Sequence, residues 1–380
     1  MADHAAPDHG HAPADHEADL HPAPQHGKGG SGLDRVKAVM SQGWEAVEEV
    51  AAISKDYASE WPHIAEWLHK NRGNDFVKHV TAEMSGTRYK ATKFPIVMVH
   101  GFSAAPGDNL SFNEQIPSSL RGDGDAVFEV TSPPFASSEE RARAIAPQLE
   151  KILKETGAQK LNLVAHSQGG LDARYLISSL GWADRIASLS MVGTPNRGTG
   201  SAEVASKLPA GADGALNSLG RELNSHVVHS PMTDQVDGRG TINSMTEHGA
   251  AKFNAENPDK EGVYYQSWAG VSTMTGHLTD ADLAKMGPRA EPAKGDPHQA
   301  GFMNPMLYIA SMLTHSKANG ALNDGAVPEE SAKWGDYHGA LMADHWGEIG
   351  QQTPGDQQRT GFDPVEFYRK MANDLARKGY

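Results

Sequence analysis

The chain has no cysteine, no apolar run long enough to span a bilayer and no excess of basic charge. Each absence closes a class of function. Without cysteine there is no disulfide scaffold, no thiol nucleophile and no thiolate metal site. A membrane-spanning helix needs roughly 18–20 consecutive apolar residues, and no run here approaches that. With 34 Lys and Arg against 48 Asp and Glu, the formal charge of −14 argues against a general nucleic-acid binder, because a phosphate backbone is met by a basic face. The start, Met1-Ala2-Asp3-His4, has neither a basic segment nor an apolar one, so no secretion signal is visible. The expectation is a secreted protein if the chain is a trimmed mature form, and a cytoplasmic one otherwise. No internal repeat is apparent.

What is present is enough apolar residue, 38% of 380, to bury a sizeable core. Histidine is abundant, at 19, and unevenly spread. His4, His9, His11, His16, His21 and His26 fall in a leader, residues 1–30, built mostly of Ala, Pro, Asp and Gly. Such a composition has little to bury and predicts disorder, with weak transition-metal binding as the sharper reading. Residues 31–86 change character. Val36, Met40, Trp44, Val47 and Ala51 recur at helical spacing, and Trp61, Ile64 and Trp67 lie near one face of a second stretch. This reads as a helical extension whose apolar stripe packs onto the main domain. Its polar face is acidic, the opposite of a helix that lies on lipid.

From Lys93 the chain alternates strand and helix. Apolar runs at Phe94–Val99, Ala126–Val130, Leu161–Ala165 and Ile186–Val192 predict buried strands. Between them, a helix over Glu139–Thr156 with Ser138 as its cap, and another over about 168–180, complete the pattern. Apolar strands alternating with helices predict an α/β fold, a mostly parallel sheet covered on both faces. Sites in such sheets lie beyond the carboxyl ends of the strands.

The sequence places chemistry there. Ala165-His166-Ser167-Gln168-Gly169-Gly170 sets a serine between a strand and a helix, with small residues two before and two after it. This is the pattern of a nucleophile elbow, whose turn is too tight for larger side chains at those places. A serine hydroxyl is a poor nucleophile alone and needs a base, an acid to orient the base, and donors for the oxyanion. One donor is expected from the backbone N–H of Gln168. The other is expected from Phe102, in the loop after Val99-His100-Gly101, with His100 as a structural hydrogen-bonder beneath it. The partners follow in the order serine, acid, histidine, which leaves His338 and His345 as bases. Asp324, in the turn-forming run Asn323-Asp324-Gly325, is the favoured acid, with Asp336 and Asp344 as rivals. The assignment made is Ser167, Asp324, His345.

At this point the residues carry a resemblance. From about Thr87 to the end, the domain at 87–380, the chain resembles the bacterial true lipases of the Pseudomonas, Burkholderia and Proteus type, members of the α/β-hydrolase superfamily. The matching runs are Phe94–Gly101, the serine elbow, Val192–Gly198, Gly249–Asn254, Val263–Gly270, Asn323–Gly325 and Phe367–Asn373. The resemblance implies the same triad and the same oxyanion donors. It also implies a helical lid over the acyl pocket at about 198–241, with Leu208, Leu216, Leu219, Leu223, Val227, Val228 and Met232 as its apolar candidates; a permanently packed cap is the alternative. It further implies a calcium ion near the histidine, held by two aspartates. This chain has Asn304 and Gly347 at those two positions, so no metal and no required cofactor is expected, although Gln351 keeps a matching polar position. Asp363-Pro364 lies too far along to substitute.

The expected function is hydrolysis of lipid carboxylic esters, as a triacylglycerol lipase or carboxylesterase acting through an acyl-enzyme. The same triad also serves a polyester hydrolase or an acyltransferase. A non-catalytic protein that binds lipid or metal is the reading from another class. The expected partner is a hydrophobic ester, with transient contact to a lipid interface; neither nucleic acid nor a transmembrane segment is expected.

Overall fold

Six parallel strands form the central sheet of the computed structural model. Those strands are β1 (Ile96–Val99), β2 (Val127–Val130), β3 (Leu161–His166), β4 (Ile186–Val192), β5 (Tyr264–Gly270) and β8 (Asp336–Leu341), in the spatial order β2-β1-β3-β4-β5-β8. Two short strands, β6 (Ser272–Thr273) and β7 (Gly301–Phe302), pair separately. The structure describes residues 89–102, 111–209, 237–291, 295–317, 322–352 and 355–380. The leader at 1–30 and the extension at 31–86 lie outside the described residues. So do Leu216, Leu219, Leu223, Val227, Val228 and Met232 of the expected lid.

Strand alternation decides which side chains face which helices. Ile96 and Met98 of β1, with Val164, Val192 and Trp268, pack against α1 (Gln115–Gly122) and the closing helix Pro364–Lys378. Val97 and Val99, with Leu163, Ala165, Leu189 and Met191, pack on the other face against α2 (Ser138–Thr156) and α3 (Gln168–Ser178). Every named β1 residue is buried, because neither face of the strand meets water. The expected strands and helices are thus present, with boundaries moved by one or two residues. One detail differs: Ser137, not Ser138, caps α2, and its hydroxyl and Glu140 form a reciprocal capping box. Gly157, in the left-handed conformation, ends that helix. Among the described residues no helix is long and apolar enough to cross a membrane.

The strand order reverses direction between β1 and β3. From β1 the chain crosses to β2 on one side, then returns to β3 on the other. That reversal opens a crevice at the carboxyl ends of these two strands. The loop at Gly101 follows one and Ser167 follows the other.

Candidate active site

Ser167 is the only non-glycine residue with positive φ among the described residues, at φ 54° and ψ −132°. Such a conformation costs of order 1–3 kcal/mol and persists only where the surroundings impose it. Here they do. The Ser167 N–H donates to the Val192 carbonyl at 3.0 Å, and the helix α3 begins at the next residue. A Cβ added to Gly169 would lie 2.6 Å from the Val99 carbonyl oxygen, and one on Gly170 would lie 2.1 Å from Thr194 Oγ1. Only glycine lets α3 start so close to the strands, which is why the elbow pattern is readable from sequence.

His345 follows β8 and brings its ring between two oxygens. Its Nε2 is 2.9 Å from Ser167 Oγ, and its Nδ1 is 2.7 Å from Asp324 Oδ2. The His345 backbone N–H also donates to the Asp324 carbonyl at 2.8 Å, so main chain and side chain fix the same pair. Asp324 is fully buried. Its other carboxylate oxygen accepts the N–H groups of Ala326 (2.8 Å) and Val327 (2.7 Å), closing the turn its neighbours suggested. The ring of His345 therefore has its Nδ1–H held by a carboxylate and its Nε2 free to accept a proton from the serine.

The rival residues are engaged elsewhere. His338 stacks on Trp268 with ring centroids 4.8 Å apart, and its Nε2 lies 3.4 Å from the Tyr264 hydroxyl. Asp336 accepts that hydroxyl at 2.8 Å from the exposed start of β8. Asp344 accepts the backbone N–H groups of Asn304 and Gly347, and burial pushes its carboxyl up to about 6.

Residues that sequence reading did not single out hold these groups in place. Arg141 and Asp172 form a fully buried ion pair at 2.6 Å. The same guanidinium donates to the His100 carbonyl (2.8 Å) and the Gly101 carbonyl (3.1 Å), tying the loop after β1 to helices α2 and α3. Burial pushes Asp172 up to about 6, against the pull of Arg141. His100 accepts the Ser132 N–H at Nε2 (3.2 Å), and its Nδ1 faces the Gly101 carbonyl at 3.0 Å, consistent with a neutral ring protonated at Nδ1. Burial, then Arg141, lowers His100 to about 3.

Glu348 lies beneath the triad-like chain, fully buried, with Oε2 3.2 Å from His166 Nε2 and 3.8 Å from His345 Nδ1. It fills space left by two glycines: a Cβ on Gly193 or Gly270 would come within 2.1 or 2.5 Å of its oxygens. Burial, and then the charge of Asp324, raise its carboxyl well above the ordinary range. His166, lowered by burial and by His345, donates Nε2–H to the His345 carbonyl at 2.9 Å. No motif announces Glu348, and its position three residues after His345 was the only signal available. His166, His345 and Glu348 are the one group of three among the described residues with ligand-type atoms clustered as a metal would need. Both ring nitrogens of His345 are already committed to Ser167 and Asp324.

Of the expected oxyanion donors, Gln168 is fully buried at the first position of α3, where a backbone N–H has no intrahelical acceptor. Its side chain is tied by Nε2 to the Ala136 carbonyl at 3.0 Å. Phe102 follows Gly101; the residue is 39% exposed, and its ring packs edge-on against Phe135. Leu208, past the short helix Gly200–Ala205, is exposed.

No family model matches the chain. It is 30% identical over 222 residues to a triacylglycerol lipase of Vibrio cholerae, covering 53% of this chain and 70% of that one. It is 24% identical over 332 residues to a triacylglycerol lipase of Burkholderia plantarii, covering 78% and 90%. Among solved structures, a metagenomic carboxyl esterase shares the fold, with TM-score 0.53, 16% identity and coverage of 76% and 77%. A strand–serine–helix elbow at the switch point of a parallel sheet, together with the Vibrio relative, gives the conclusion: this chain belongs to the bacterial triacylglycerol lipase family, with the α/β-hydrolase fold, and is a carboxylic ester hydrolase acting on lipid esters.

Proposed function

We propose that Ser167 is the nucleophile, His345 the base and Asp324 the orienting acid of this hydrolase, with Phe102 and Gln168 N–H groups receiving the oxyanion. The observation that carries the reading is the ring of His345 bridging Ser167 Oγ and Asp324 Oδ2 at 2.9 and 2.7 Å. In the first half-reaction His345 Nε2 takes the hydroxyl proton as Ser167 Oγ attacks the ester carbonyl carbon. The imidazolium that forms is stabilised by Asp324, whose carboxylate keeps the ring in the needed tautomer. His345 then returns the proton to the leaving alcohol. Water attacks the acyl-enzyme by the same route and releases the fatty acid. Negative charge develops on the carbonyl oxygen, beside the N-terminus of α3, where preorganised N–H groups are worth more than water.

The substrate proposed is an acylglycerol or a medium- to long-chain ester. The segment at 198–241 is proposed to cap its acyl chain, with the exposed Leu208 at the described edge of that cap. The test is hydrolysis of p-nitrophenyl esters from acetate to palmitate by the full chain and by Ser167→Ala. Loss of turnover in Ser167→Ala across the series is expected. Retained turnover would remove the serine from the mechanism, and a maximum at acetate would replace lipase with short-chain esterase.

A further inference from the structure

The resemblance noted above places a calcium ion beside the catalytic histidine, and the residues present do not fit one. The two ligand positions hold Asn304 and Gly347. Asn304 Oδ1 is engaged in accepting the Met306 N–H at 3.0 Å, capping the turn that follows. Gly347 has no side chain, and a Cβ added there would come within 3.0 Å of Asp344 Oδ1. Gln351 donates through Nε2 to the Ser111 carbonyl at 3.0 Å. Asp363 caps the closing helix by accepting the Glu366 N–H at 3.1 Å.

Between the two vacated ligand positions stands Asp344, buried, next to the proposed base in sequence. Its Oδ2 accepts the Asn304 N–H at 2.7 Å and its Oδ1 accepts the Gly347 N–H at 2.6 Å. One carboxylate thus ties the segment Gly301–Asn304 to the loop that carries His345. The segment is held at its other end as well, where Asp356 accepts the Phe302 N–H at 3.1 Å. The two pieces of chain are in direct contact: a Cβ on Gly301 would lie 2.8 Å from the Ala343 Cα. A charged acceptor with two short N–H bonds is a strong clip in a buried place.

We propose that Asp344 is a positioning residue whose carboxylate does, by two backbone hydrogen bonds, what a divalent cation would do between positions 304 and 347, so that the His345 loop is held without metal. The negative charge has moved from the two ligand positions to the residue between them. An ion would need side-chain oxygens to turn toward it, whereas Asn304 Oδ1 and both oxygens of Asp344 already accept backbone N–H groups.

The proposal rests on His345 as the base for its kinetic arm only, so stability is measured in parallel on Ser167→Ala. The full chain is dialysed against EGTA or EDTA, then titrated with calcium chloride. Expected are no loss of ester hydrolysis in the parent, and no change in Tm and no calcium binding by calorimetry in the parent and in Ser167→Ala alike. In Asp344→Asn the amide presents an N–H to one of the two backbone donors, so one bond is replaced by a repulsion. A Tm lower by about 3–10 °C is expected, with kcat down by about ten- to a hundredfold, KM unchanged and no rescue by calcium. The combined Asn304→Asp, Asp344→Asn, Gly347→Asp variant is expected to gain a calcium-dependent rise in Tm. A chelator-induced fall in the parent's Tm that calcium reverses would overturn the proposal. So would an Asp344→Asn variant with the parent's Tm and kcat. If kcat in Asp344→Asn equals the parent's while Tm falls as expected, the clip stands and the assignment of His345 is what fails.

Discussion

Gly101 and Ser167 lie so close that a methyl group on Gly101 would sit 2.7 Å from the Ser167 Cβ. The loop after β1 and the elbow after β3 therefore share one small space. Alanine at 101 has to push the loop away from the serine. We expect Gly101→Ala to fold, with kcat reduced by about 10²–10³, the loss seen when one oxyanion donor is removed. Ester hydrolysis at the parent's rate would place the oxyanion donors elsewhere.

The two late histidines separate by mutation. His345→Ala is expected to abolish turnover, and Asp324→Asn to lower kcat by about 10⁴ through the wrong ring tautomer. His338→Ala should keep most activity, since its partners are Trp268, Tyr264 and Asp336. Steady-state kinetics on one p-nitrophenyl ester distinguishes them; an inactive His338→Ala beside an active His345→Ala would reassign the base.

The pair Arg141–Asp172 is expected to couple stability to activity. Arg141→Met leaves a buried carboxylate alone, a loss of about 3–5 kcal/mol. Adding Asp172→Leu removes that carboxylate and should return much of the stability. It should not return kcat, because the His100 and Gly101 carbonyls have still lost their donor. Denaturant unfolding and kinetics on both variants check this, and recovery of kcat in the double variant would show that the guanidinium does not position the loop.

Burial holds His100 near 3 where an unfolded chain titrates near 6.5. The unfolded state therefore binds this proton first, so the associated stability is present above about 6.5 and is lost as pH falls toward 3. Tm is expected to drop with acid across that window, and His100→Gln to reduce the slope, whatever its effect at neutral pH. An unchanged slope would mean that His100 does not stay neutral in the folded chain.

Glu348 carries the opposite sign. Its carboxyl is raised well above the ordinary glutamate value of about 4.5, so the unfolded state loses the proton first and stability declines as pH rises beyond that value. Glu348→Gln mimics the neutral form and is expected to keep activity and to lessen the alkaline decline. A variant less stable than the parent at pH 8, with the fold intact, would show that the ionised carboxylate is what the site holds.

Much of this protein was legible in sequence because the signals are local. The strands Ile96–Val99 and Ile186–Val192 are runs of apolar residues, and a strand buried on both faces has no other way to read. The elbow was legible because its sterics act within two residues on either side of Ser167. Asn323 and Gly325 flank Asp324 because the turn needs them: Asn323 accepts the Gly325 N–H, and Gly325 adopts φ 103°. The lipase resemblance followed from the same short runs, and the Vibrio relative supports it.

The rest depended on contacts between residues far apart in the chain. Nothing near Arg141 says that its partner is Asp172, or that it reaches two carbonyls 40 and 41 residues away. His338 and His345 are equally histidine in sequence; only the end of β8 decides that one faces Trp268 and the other Ser167. Asp344 was weighed as a rival acid because it neighbours His345, and the fold turns it instead toward Asn304, 40 residues back. By itself, then, the sequence determined the alternation of strand and helix, the elbow and the family. The tertiary structure alone decided which charges are paired, which are neutralised by burial and which hold the histidine, because desolvation and hydrogen-bond geometry belong to the packed interior and leave no local pattern.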